Sequence, residues 1–232
     1  MAMFQPIVFL PGLICDARLW RDVIDGLADT IAPMVADLRL DDTIAAMASR
    51  TLAAAPPRFA LAGLSMGGYV ALEIMRQAPE RVTHLALFDT SARPDSEERR
   101  ETRRKGIEMI GQGKFIGVSR GLLGNLVAPH RLGTPLAEAV QAMSERVGGT
   151  VYIRQQKAIM DRVDSLPHLA AIDMPTLVGV GALDKMTPPE LAAEMAAHIP
   201  GAELVTFPDA AHLPTMENPA PVVDAMRAWL GR

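Results

Sequence analysis

Phe59-Ala60-Leu61-Ala62-Gly63-Leu64-Ser65-Met66-Gly67-Gly68-Tyr69-Val70-Ala71-Leu72 is the stretch on which the fold turns. Its first half is an apolar run of strand length, and the part that continues through Glu73-Ile74-Met75-Arg76 has helical character. Ser65 stands on the turn between them. A sharp strand-to-helix turn forces a strained backbone angle on its central residue, and a Cβ two positions to either side would collide with the neighbouring strand and helix. Gly63 and Gly67 carry none. The expected result is a hydroxyl exposed at the carboxyl edge of a sheet, with the amides of a new helix pointing at the same place.

Working outward, the same alternation of short apolar runs and helix-length segments recurs. Ile7 to Leu10 is a strand candidate followed by a helix from about Ala17 to Ala28, and Pro33 to Ala36 offers a weaker strand. Asp42-Thr43 can cap a helix through Ile44, Met47 and Leu52, which Pro56-Pro57 ends. Pro79 stops the helix after Ser65, and Val82 to Phe88 is the next strand, reaching Asp89. Thr176 to Gly181 and Leu204 to Phe207 complete the set, with Thr187 and Pro188 as cap and first turn of an intervening helix to His198. Asn218-Pro219 opens a closing helix through Trp229. Strands this apolar imply an α/β fold: a sheet of about six mostly parallel strands covered by helices on both faces.

That alternation lapses from Arg93 to about Ala170. The segment has no convincing strand and about four helical stretches, centred near Arg103, Gly121, Val140 and Ala158. The expected organisation is a core from 1–92 and 171–232 with a helical insertion, 93–170, lying over the sheet. The run Glu97-Glu98-Arg99-Arg100-Glu101-Thr102-Arg103-Arg104-Lys105 mixes signs, which reads as a solvated helix face rather than an anion site.

Composition bounds the partners. A net charge of −4 over 232 residues gives no electrostatic case for nucleic acid, and no apolar run approaches the ~18 residues that cross a bilayer. Met1-Ala2-Met3-Phe4-Gln5-Pro6 lacks the basic start of a signal peptide. Cys15 is the one cysteine, which excludes an internal disulfide and fits a reducing compartment; its expected role is packing, not nucleophilic attack. The expectation is a cytoplasmic protein, monomer or homo-oligomer, acting on a small molecule.

A serine hydroxyl is a poor nucleophile unless a base takes its proton and a third group orients that base. Of five histidines, only His212 falls in a loop just past a strand, at the same sheet edge as Ser65 if all strands run parallel. Asp184, on the turn after Thr176 to Gly181, is favoured as the orienting acid, with Asp89 the alternative. Two backbone N–H groups should face the charge that develops on a substrate carbonyl oxygen. Met66, just after the serine, supplies one; the loop after the first strand should supply the other through Leu13, with Ile14 the competing donor. No metal is expected, because His198 and His212 lie too far apart for a helical ligand pair. Gly111-Gln112-Gly113-Lys114 lacks the preceding strand and the following Ser/Thr of a phosphate loop, and no cofactor is implied.

Leu10-Pro11-Gly12-Leu13, Gly63-Leu64-Ser65-Met66-Gly67-Gly68, Gly181-Ala182-Leu183-Asp184 with Pro188, and Ala211-His212-Leu213-Pro214 with Glu217 and Pro219 together resemble the α/β-hydrolase superfamily. The order Ser, Asp, His agrees with it. Within it the elbow resembles small serine esterases, enol-lactonases and cofactor-free haloperoxidases or perhydrolases. The resemblance covers residues 7 to 230 and implies nucleophile Ser65, acid Asp184, base His212 and oxyanion donors Leu13 and Met66, with the insertion as a cap. It implies hydrolysis of an ester, lactone or thioester through an acyl-serine, or, as the alternative, peracid formation at the same serine; a non-catalytic binding protein on this fold is a third reading. Two departures stand out: Pro11-Gly12 replaces the His-Gly that many members carry before the oxyanion residue, and there is no room for their first hairpin. In such an architecture Phe115, Met109, Met143, Tyr152 and Met160 are candidates to line the pocket, and Arg154, Arg120 or Lys157 to meet a substrate carboxylate.

Overall fold

The structure, a computed structural model, describes residues 4–113, 115 and 117–232, apart from the side chain of Arg120. Lys114 and the Arg120 side chain, both considered above, therefore lie outside the described residues. Six strands form one sheet in the order β2-β1-β3-β4-β5-β6. They are β1 (Gln5–Leu10), β2 (Ile31–Val35), β3 (Phe59–Leu64), β4 (Val82–Phe88), β5 (Thr176–Gly181) and β6 (Glu203–Phe207). Every neighbouring pair runs parallel. All carboxyl ends therefore lie along one edge, which is where the chemistry of such sheets collects.

Helices fill the crossovers. They are α1 (Arg21–Gly26), α2 (Ile44–Ala54), α3 (Met66–Gln77), α4 (Glu97–Gly111), α5 (Arg120–Leu126), α6 (Pro135–Val147), α7 (Gly149–Met160), α8 (Pro189–His198), α9 (Pro214–Glu217) and α10 (Pro219–Leu230). The helix expected over 17–28 is split: Ala17–Leu19 is a 3₁₀ turn and only Arg21–Gly26 is α-helical. Asp16 accounts for this, because its side chain accepts from Arg18 N–H and caps the short turn separately. Thr43 caps α2 as expected, accepting from Ala46 N–H at 3.1 Å. Thr187 does not cap α8. That helix begins at Pro189 with Pro188 before it, and the Thr187 hydroxyl is engaged elsewhere.

The period-two side-chain alternation of buried strands divides the core into two layers. Ile7, Phe9, Ala60, Ala62, Leu64 and Phe88 point to the side covered by α1 and α10, where Trp20 and Trp229 are fully buried. Val8, Leu10, Leu61, Leu85, Leu87 and Val178 point to the side covered by α2, α3 and α8. Trp20 joins both needs of a buried indole: its ring meets Phe9 and Phe88 at 5.0 and 5.8 Å, and its Nε1–H donates to Leu10 O at 3.2 Å. The four helices α4–α7 occupy the chain between β4 and β5, in place of the single crossover helix found elsewhere in this sheet. No described helix is long and apolar enough to cross a membrane.

At the elbow, a Cβ on Gly63 would stand 2.4 Å from Gly67 O, and one on Gly67 would stand 2.1 Å from Leu10 O. Both obstacles are backbone, so neither can move aside cheaply. Gly67→Ala is accordingly expected to cost at least about 3 kcal/mol, at the upper end of overpacking penalties. Urea unfolding of the purified variant would measure this, and a midpoint equal to wild type would contradict the packing described.

Candidate active site

Ser65 follows the last residue of β3 and caps α3 with φ 56° and ψ −116°, a conformation that costs a non-glycine residue on the order of 1–3 kcal/mol. Its neighbours hold it there. Ser65 N–H donates to Phe88 O at 2.9 Å, and Ser65 O accepts from Thr90 Oγ1 at 2.8 Å and from Gly68 N–H at 2.9 Å. Only two other described non-glycine residues have positive φ, Ile14 and Asp89, and both follow strands that flank β3. Strain in this protein is thus collected at the carboxyl edge of the central strands.

His212 and Asp184 meet after β6 and β5. His212 Nδ1 lies 2.8 Å from Asp184 Oδ2, and both side chains are buried. Asp184 is held by its own loop: Met186 N–H at 2.7 Å and Thr187 N–H at 3.1 Å donate to Oδ1, and the Thr187 hydroxyl donates to Oδ2 at 2.7 Å. Burial works against its charge, yet His212 and the Thr187 donors outweigh burial and hold the carboxyl below its ordinary 3.8. An ionised Asp184 can only accept, so Nδ1 carries the proton and Nε2 of the neutral ring presents a lone pair. Gly181 allows the approach, since a Cβ there would stand 1.8 Å from Ala211 O.

Ser65 and His212 line the same cavity, about 320 Å³, between the carboxyl edge of the sheet and α4–α7. No hydrogen bond joins Ser65 Oγ to His212 in this arrangement. Leu13 also lines the cavity. Ile14 N–H is occupied, donating at 2.8 Å to Gln155 Oε1, while Gln155 Nε2 donates to Leu38 O at 3.0 Å. Among the described residues neither Leu13 N–H nor Met66 N–H has such a partner. Of the two candidate donors, Ile14 N–H is thus engaged with Gln155, whereas Leu13 N–H is open among the described residues.

Glu217 secures the histidine loop. Its buried carboxyl accepts from Ala211 and Leu213 N–H at 2.8 and 3.2 Å and from Ala128 N–H, beyond α5, at 2.6 Å. His212 N–H donates to Leu126 O at 3.1 Å, a second tie to α5. Burial raises the Glu217 carboxyl above its ordinary value.

Of the pocket candidates, Met143 and Tyr152 line the cavity. Met109 faces solvent and is 55% exposed, and Phe115 packs on Tyr152 from behind at 6.3 Å. Met160 is not in the lining, Arg154 donates to Arg39 O, and Lys157 is exposed. The mixed charge run divides: Arg99, Thr102 and Arg103 line the cavity, so it is not wholly a solvated face. Cys15 reaches the cavity as well, but burial and then the neighbouring Asp16 charge push its thiol up to about 12, which disfavours the nucleophilic thiolate.

Asp89, the alternative acid, is fully buried at the end of β4, with Oδ1 accepting from Gly181 N–H at 2.8 Å. Its Oδ2 has no partner among the described residues, and one polar atom each of Asp89, Asp184 and His212 lie within 4.8 Å of one another. This is the one described cluster that could be considered for a metal ion, but Asp184 already accepts four hydrogen bonds and is committed to His212.

A family model described as the alpha/beta hydrolase family matches residues 7–225. The chain belongs to the alpha/beta hydrolase family. Among its relatives, the pimeloyl-[acyl-carrier protein] methyl ester esterase of Edwardsiella ictaluri is 25% identical over 96% of this chain and 92% of its own. The Neisseria meningitidis protein of the same name is 27% identical, the match spanning 67% of this chain and 63% of the relative's length. The Mycobacterium tuberculosis protein named for non-heme bromoperoxidase, BpoC, is 30% identical over 76% of this chain and 68% of its own. A thermophilic esterase from Thermogutta terrifontis, solved with malate bound, superposes with a TM-score of 0.89 at 30% identity, covering 100% of this chain and 91% of that one.

Burial, and then the Asp184 charge, push the Asp89 carboxyl well above its ordinary 3.8. The folded protein therefore keeps a proton that the unfolded chain releases above that pH, and the stability tied to the neutral acid is lost as pH rises. Asn at this position keeps the acceptor for Gly181 N–H, tolerates positive φ and has no proton to lose. The Tm of Asp89→Asn minus that of wild type should grow as pH rises above the ordinary carboxylate value of 3.8. A difference independent of pH would show that Asp89 is ionised in the folded state.

Proposed function

We propose that this chain is a serine hydrolase that cleaves carboxylic esters, lactones or thioesters of small-to-medium acyl groups through an acyl-serine intermediate. One observation carries the reading: a serine at positive φ on the β3–α3 turn shares a cavity with a histidine whose Nδ1 is held by a buried carboxylate. In the acylation step Ser65 Oγ attacks the acyl carbon while His212 Nε2 takes its proton, and Asp184 stabilises the imidazolium that forms. This requires the Ser65–His212 hydrogen bond to close with substrate in place. The tetrahedral oxyanion is met by Leu13 and Met66 N–H, each such donor being worth ~3–4 kcal/mol of transition-state stabilisation. Collapse expels the alcohol or thiol with the proton from His212, and water repeats the sequence to release the acid.

Several features support an ester as the substrate. The cavity wall is mainly apolar, with Leu122, Val140, Met143 and Ile159 placed to hold an acyl chain, and α4–α7 act as its cap. The names of the Edwardsiella and Neisseria relatives make methyl esters of medium-length acyl chains the first compounds to try. The BpoC name keeps peracid formation at the same serine as a second reading, since that reaction also begins with Ser65 acylation.

With p-nitrophenyl butyrate and methyl esters of increasing acyl length, wild type should turn over and Ser65→Ala should lose about 10⁴-fold or more in kcat. His212→Ala should lose a comparable factor, and the double variant should be little worse than either single one. A Ser65→Ala protein as active as wild type would remove the proposal.

A further inference from the structure

The cavity is apolar on most of its wall and cationic on one side. Arg99, Thr102 and Arg103, at helical spacing on α4, turn one face inward, and Lys185 stands beside them on the loop that carries Asp184. The acidic members of the same charge run point elsewhere: Glu97 and Glu101 are exposed and pair with Arg104, and Glu101 also with Lys105. The mixed signs of the sequence thus separate in space, with the cavity receiving the basic side.

The cations at the wall are not equivalent. Arg103 is already matched: it meets Asp95 Oδ2 at 2.5 Å and Gln156 Oε1 at 2.6 Å, and Asp95 also takes Arg162 at 2.9 Å. The Arg99 guanidinium makes one hydrogen bond, from Nη2 to Met186 O at 2.6 Å, and no carboxylate among the described residues lies within 4.0 Å of it. That bond fixes the guanidinium at the wall and leaves most of its five N–H donors unspent. Lys185 likewise has no carboxylate within 4.0 Å among the described residues. Its neighbour Asp184 does not neutralise it, because both Asp184 oxygens are directed at His212, Thr187 and Met186 N–H. Arg99 is therefore anchored to the very residue whose amide helps hold the orienting acid.

We infer that the cavity takes esters bearing a second, anionic group, a carboxylate being the simplest, and that Arg99 and Lys185 bind it while the ester lies at Ser65. The inference rests on the hydrolase reading for the position of the ester, and it adds the charge that the substrate carries. Arg99 supplies directional N–H donors and Lys185 a mobile point charge, a pairing suited to a planar carboxylate at the end of a flexible chain. The carboxylate can sit on the acyl side, as in a half-ester of a dicarboxylic acid, or on the leaving group, as in an acylated hydroxy acid. Both present the same chemistry to Arg99 and Lys185.

Two substrate pairs separate these sources: monomethyl adipate against its uncharged terminal-amide isostere, and acetylated hydroxyhexanoate against its amide. In wild type, kcat/KM should favour the anion about tenfold or more in at least one pair, a preference that added salt reduces. The double variant Arg99→Gln, Lys185→Gln should bring that ratio close to one, and Arg99→Glu, Lys185→Glu should invert it, whatever happens to the absolute rates. Binding to Ser65→Ala protein, measured calorimetrically with monomethyl adipate and its amide, tests the same point without turnover. Tighter binding of the anion, erased when Arg99 and Lys185 are also replaced by Gln, supports the anion site even if no ester is cleaved, an outcome that would count against the hydrolase reading alone. Equal kcat/KM within both pairs, or equal affinity for charged and uncharged ligands, overturns the inference and leaves Ser65 chemistry standing.

Discussion

The structure depends on one steric constraint, the absence of side chains where β3 turns into α3. Gly63 presses against the backbone of Gly67, and Gly67 in turn against the carbonyl of Leu10 at the end of β1. With no room for a Cβ on either, α3 starts immediately after the strand and Ser65 is left to absorb the sharp change of direction at positive φ. Half-buried Ser65 is brought to the cavity wall by backbone packing alone, before any partner side chain is considered. Trp20 adds a fixed point on the same carbonyl, since its indole N–H bonds Leu10 O while its ring fills the layer below.

Parallel pairing does the rest of the positioning. Because every strand ends at one edge, the loops after β1, β3, β4, β5 and β6 all open there, and each contributes something the others lack. The β1 loop brings Leu13, whose N–H has no partner among the described residues, and Gln155 on α7 takes the adjacent Ile14 N–H. The β4 loop brings Asp89, buried and short of one partner, beneath the β5 loop that brings Asp184. Thr187 makes Asp184 an acceptor of fixed direction, so the His212 tautomer follows from hydrogen bonding rather than from the histidine's own preference.

Much of this was legible in the sequence because it is local. The apolar runs of β1, β3, β4 and β5, the Gly-x-Ser-x-Gly turn and the loop positions of Asp184 and His212 depend on residues within a few positions of each other, and the structure brings Asp184 and His212 together as the strand order required. What escaped depends on distance. Thr187 looks like a helix cap because caps are local, but a buried carboxylate three residues upstream is the better acceptor for its hydroxyl. Gln155 and Ile14 are separated by 141 positions, and nothing in either stretch announces the other. In α4 the composition was visible but the rotation of the helix was not: only packing against α7, where Gly106 admits the Tyr152 hydroxyl, decides which charges face inward. The pocket expectations failed at Met109, Phe115 and Met160 for the same reason, since an insertion with weak apolar periodicity does not declare its buried face.

The clamp made by Glu217 ties two parts of the molecule that are far apart in the chain. One carboxyl group grips the loop on both sides of His212 and also the segment just beyond α5, and the backbone of His212 reaches the last residue of that helix directly. Displacing α5 must therefore break buried hydrogen bonds or drag the imidazole with it. Any shift of α5 is thus mechanically coupled to the loop that holds the imidazole, so that the wall of the cavity and the position of His212 move as one unit.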